Sequence, residues 1–106
     1  MKDSYKVYWN NVLIGEVVIT GVDMWYLDCT WNGYDNDDCK TFEKQAATQI
    51  LKEVIQNPDL SKVLKVVLVN ANNGKIYCLV MKLEKPDLFM RQVVAEETLQ
   101  KFFPDR

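Results

Sequence analysis

The chain has 106 residues, with 13 basic and 15 acidic side chains, a formal net charge of −2, and a composition that is 48% hydrophobic and 26% charged. That length makes a single domain, residues 1–106, and that balance excludes a disordered chain. Dispersed lysines and a slight acidic excess exclude the basic stripe of a nucleic-acid binder, and no run approaches the ~20 apolar residues of a membrane-spanning helix.

Tyr5–Trp9 and Val12–Ile19 read as two strands around Asn10-Asn11, which can take the two positive-φ positions of a tight hairpin. Pairing across that turn sets Trp9 opposite Val12 and Val7 opposite Ile14, with Tyr5 on the same core-facing side. Gly21 interrupts the pattern, and Met24–Trp31 reads as a third strand. Asp38 is the expected N-cap of a long helix over Cys39–Asn57. Phe42, Ala46, Ile50, Leu51, Val54 and Ile55 form its apolar stripe, and Asn57-Pro58 ends it.

Leu64–Ala71 and Ile76–Leu83 read as a second hairpin turning at Asn73-Gly74. One face carries Val67, Val69, Ile76, Cys78 and Val80; the other carries Leu64, Val66, Leu68, Leu79, Met81 and Leu83. Leu88–Val94 is a sixth strand. Ala95–Phe103 is a short last helix with Glu96 and Glu97 at its positive end. The order β-β-β-α-β-β-β-α makes an α+β domain: a mainly antiparallel six-stranded sheet, one long helix on one face and a short C-terminal helix. A sheet apolar on both faces needs cover on the second, from the last helix, a further layer or a second copy in a homodimer.

The chain has no histidine, which removes the commonest general base and metal ligand together. Its four glycines are isolated, so no phosphate-binding loop is present. Cys29, Cys39 and Cys78 are odd in number and lack C-x-x-C spacing, which fits reduced thiols in a cytoplasmic protein and no zinc site. The N-terminal Met1-Lys2-Asp3-Ser4-Tyr5 has no apolar signal region. Asp35-Asn36-Asp37-Asp38 fails the calcium-loop pattern, since the sixth and twelfth positions are Lys40 and Ala46. No metal, cofactor or catalytic residue is therefore expected. A small enzyme using the Cys39 thiol or a carboxylate pair such as Glu16 and Asp28 is the alternative.

Seven of the eight Trp and Tyr residues lie in the first 34 positions, alongside seven acids and three bases in residues 1–40. Alternation puts Trp25, Leu27, Cys29 and Trp31 on a core face. Tyr8, Tyr26 and Tyr34 remain, bordered by Asp28, Asp35 and Asp37. Tyrosine joins a large apolar body to a polar tip and is enriched in interfaces, while acids steer a basic partner. These six residues form the expected protein-binding surface of a non-catalytic binding or regulatory domain, such as an immunity-type inhibitor that silences a partner toxin. The stretch YKVYWNNVLIGEV, residues 5–17, resembles the N-terminal hairpin of several bacterial proteins, including the small N-terminal subdomain of HipA-like kinases. The resemblance implies a hairpin; no kinase motif follows it.

Overall fold

The computed structural model describes residues 4–48 and 64–104. Along the described residues come β1 (Ser4–Trp9), β2 (Val12–Asp23), β3 (Tyr26–Gly33), α1 (Asp37–Thr48), β4 (Lys65–Val69), β5 (Lys75–Glu84), β6 (Asp87–Gln92) and α2 (Glu96–Phe102). The order is the expected one, but the sheet is not open. The strands close into an antiparallel barrel in the order β1-β2-β3-β6-β5-β4, with β4 pairing back onto β1. Two twisted three-stranded meanders meet at both outer strands, so both edges disappear and one face becomes the interior. Closure removes the uncovered face that a flat sheet would have offered a second copy.

The first hairpin turns at Asn10 and Asn11, with φ of 52° and 65°, and Trp9 faces Val12 as expected. The register then shifts: Tyr8 faces Leu13, but Val7 faces Gly15 and not Ile14. This bulge buries Ile14 and Gly15 in succession. A Cβ at Gly15 would stand 2.7 Å from the Asn32 carbonyl oxygen and 2.8 Å from Cη2 of Trp31, so the close indole requires glycine there. Gly21 marks a second bulge and not a strand end, since Ile19 faces Cys29 while Gly21 faces Asp28. The strand runs on to Asp23, and Met24-Trp25 makes the turn. Trp25 therefore leaves the expected core face and is 45% exposed.

The β4–β5 turn also corrects the expectation. Its loop spans residues 70–74, and Oδ1 of Asn70 accepts the N–H groups of Asn72 (2.9 Å) and Gly74 (2.8 Å). Val66 faces Cys78 and Leu68 faces Ile76. An odd change of register sends every β4 side chain to the other face. Val66, Leu68, Cys78 and Val80 thus share one core cluster, while Leu79 joins another.

The interior is apolar, with Val7, Ile14, Val17, Leu27, Leu68, Val80, Leu88 and Met90 at its centre. α1 completes it at the end where β1 passes into β2. Phe42 is fully buried there, its ring 5.6 Å from that of Trp9 and 5.4 Å from that of Trp31. Oδ1 of Asn36 accepts the Cys39 N–H at 2.7 Å, so Asn36 caps α1 and Asp38 does not. The predicted stripe residues Ile50, Leu51, Val54 and Ile55 lie outside the described residues. α2 lies on the outer surface, where Phe102 and Leu99 pack on Leu79 and Val93 and the Phe103 ring is 5.1 Å from that of Tyr77. Among the described residues no helix is long and apolar enough to cross a membrane.

Candidate functional site

The six residues expected to form one surface divide between the two ends of the barrel. Tyr8, Tyr34, Asp35 and Asp37 belong to the α1 end. There the Tyr34 hydroxyl donates to Oε1 of Glu16 at 2.7 Å, and that bond to a carboxylate, with some burial, raises the phenol above its usual range. Asp35 lies 3.4 Å from Nζ of Lys40, and the Asp37 carbonyl accepts the Thr41 hydroxyl at 3.0 Å inside α1. Tyr26 and Asp28 stand at the other end of β3, about 20 Å away at 3.3 Å per residue. Glu16 faces Asn32 and Asp28 faces Gly21, so the two do not form the pair that carboxylate chemistry would need.

A polar cleft of about 430 Å³ opens at the α1 end between Trp31, Tyr34, Lys40, Glu43 and Lys85. Glu43 lines it, and each of its carboxylate oxygens has a partner. Oε2 accepts the Trp31 indole N–H at 2.6 Å, and Oε1 lies 3.0 Å from Nζ of Lys85. These bonds brace α1 against β3 and the β5–β6 turn.

The thiols are quiet. Burial pushes the Cys39 thiol up and Glu43 adds to it, against the smaller opposing pulls of a backbone hydrogen bond at Tyr34 and of Lys85. Burial, then Asp28, pushes Cys29 up to about 12; burial, then Cys29, pushes Cys78 higher still. All three are free and buried. A thiolate nucleophile needs the opposite environment, exposed and electropositive.

The opposite end is built differently. The β2–β3 tip carries Val22, Met24, Trp25 and Tyr26 in the open, with Met24 78% exposed, and Val94 lies exposed beyond β6. Their exposed surface is on the order of 500 Å², near the upper size of the largest apolar patch on an ordinary monomer. A groove of about 290 Å³ adjoins the tip, walled by Trp25, Leu79, Met81, Val93 and Phe102, with Arg91 at its side. The tip is held: the Gln92 N–H donates to the Trp25 carbonyl at 2.6 Å, and Asp23 pairs with Tyr26 across the turn.

Met24 has φ of 55°, and among the described residues the other three non-glycine positions with positive φ are all asparagine. Asparagine and glycine enter this region readily; a long unbranched side chain does so at about 1–2 kcal/mol. Trp25 and Met24 were missed by strand alternation because the pattern was extended back through the turn. The signal that marks them is a bulky apolar pair directly after Gly21 and Asp23, where a hairpin turn is due. Comparison with family models, with curated proteins and with solved structures found no match to this chain.

Proposed function

We propose that this chain is a non-catalytic protein-binding domain whose recognition surface is the β2–β3 tip together with the adjoining groove. The observation that carries the reading is the exposure of Val22, Met24, Trp25, Tyr26 and Val94 in one patch beside an apolar groove. A patch at the upper end of what an ordinary monomer exposes is often a functional one. Trp and Tyr are the residues that most often dominate binding energy in interfaces. Tyr26 and Asp28 from the expected surface belong to this patch or its margin. Tyr8, Tyr34, Asp35 and Asp37 have partners within the α1 end or lie on its wet side, and they are not part of it. The raised thiols and the engaged Glu43 weigh against the enzyme alternative. Three buried free cysteines suit a reducing cytoplasm.

The test is capture from native extract with wild type beside Trp25→Ala/Tyr26→Ala, followed by titration of each captured protein in pure form. Folding of the variant is checked by its thermal transition. A captured protein whose affinity falls at least tenfold with the variant supports the reading. Equal affinity for wild type and variant places the binding surface elsewhere and overturns it.

A further inference from the structure

The geometry points to a second copy of this chain as the occupant of the tip and groove, in a weak two-fold symmetric dimer. This inference rests on the protein-binding reading of the same surface. It starts from self-complementarity. One patch holds a projecting apolar side chain, Met24, and beside it a groove of about 290 Å³, ample for a methionine side chain. The same patch carries both signs of charge. Arg91 lines the groove and Asp23 precedes Met24; both are exposed, and neither forms an ion pair among the described residues.

A two-fold interface brings a patch against itself, so what projects must fit what recedes, and each charge must meet its opposite. Met24 of each copy entering the groove of the other would carry Asp23 toward Arg91 twice. A purely basic or purely acidic partner would meet a like charge at one of these positions.

The backbone supports the assignment of Met24 as the inserted group. The turn would be less strained with asparagine or glycine, as at Asn10, Asn11 and Asn73, yet methionine stands there, and the described residues leave it 78% exposed. Methionine is the side chain that adapts best to an irregular apolar groove. With roughly 500 Å² from each copy, the interface totals about 1,000 Å², the lower bound for a specific contact and the size of weak, exchanging ones. For a weak, exchanging contact of this kind the dissociation constant is expected on the order of 10–100 µM.

Sedimentation velocity across roughly 5–500 µM decides the matter, since it brackets that constant. Wild type is expected to pass from monomer to dimer over this range. Met24→Gly should weaken the dimer at least tenfold while leaving the thermal midpoint unchanged or higher, which loss of a structural contact would not do. Asp23→Arg and Arg91→Asp should each weaken it, and mixing the two should restore a heterodimer. A wild type that stays monomeric to 500 µM overturns the inference, as does a dimer unaffected by Met24→Gly. If wild type is monomeric but Trp25→Ala/Tyr26→Ala still loses a captured protein, the binding surface stands and its occupant is not a second copy. If that variant also loses nothing, both readings fail.

Discussion

The two ends of the barrel use the same kinds of residue to opposite effect. At the α1 end, Trp31 is buried, stacks near Phe42 and has its indole N–H taken by Glu43. At the tip, Trp25 is six residues earlier in the same segment, yet it lies half in solvent and walls an open groove. Indole burial is therefore not a property of tryptophan or of strand alternation. It depends on whether another element arrives to cover the ring. α1 covers one end, and nothing among the described residues covers the other.

The two ends should respond differently when the side chains that distinguish them are removed. Phe42→Ala should have the largest effect, about 3–5 kcal/mol by denaturant titration, because it opens a cavity beneath both Trp9 and Trp31. Trp25→Ala should cost about 1 kcal/mol or less by the same measurement, since a half-exposed ring loses little burial. Equal losses would mean that the tip is as structural as the capped end. After Phe42→Ala the next largest loss should be that of Gly15→Ala, at about 1–3 kcal/mol, because its Cβ meets the Asn32 backbone and the buried Trp31 ring. Glu43→Ala should cost a similar 1–3 kcal/mol by leaving the Trp31 N–H unsatisfied, with a blue shift or intensity change in tryptophan emission reporting the same ring. Asn36→Ala should cost about 1 kcal/mol, the usual value of a lost N-cap, visible as reduced thermal stability.

The smallest effect at neutral pH concerns the thiols. Burial, with a smaller push from Asp28, moves the Cys29 thiol up to about 12 in the fold, from an ordinary 9.0. The folded chain thus holds this proton more tightly than the unfolded chain. Its contribution is complete below pH 9 and is lost as the pH rises from there toward 12. Unfolding midpoints should be level up to about pH 9 and fall above it, and Cys29→Val/Cys78→Val should flatten that fall. The same slope in the variant would assign alkaline lability to other groups.

Much of the fold was legible in the residues. Asn10-Asn11 announced its turn because two asparagines tolerate positive φ, and the described elements come in the expected order. Phe42 and Ala46 fell on the buried side of α1 as the helical period requires. Register was the weak point. The Ile14 and Gly21 bulges each insert a residue without any local composition to mark the partner strand, and the Asn70 loop uses a side chain where the Asn73-Gly74 pair implied a two-residue turn. The candidate site suffered from the same cause. Placing Met24 and Trp25 inside a strand hid the exposed tip, while sharing a composition-rich stretch made Tyr26 and Tyr34 look like neighbours.

The order of residues sets the element types, because hydrophobic period and turn residues act within a few positions of one another. It also determined the narrow chemistry of a chain without histidine. Only the tertiary structure decided that β4 meets β1 and β3 meets β6. Those pairings join segments far apart in the chain, and they are selected by the twist and matching outer strands of the two meanders once both exist. That closure turned one apolar face inward, gave the α1 end its cover, and left the β2–β3 tip, among the described residues, as a large apolar surface in the open.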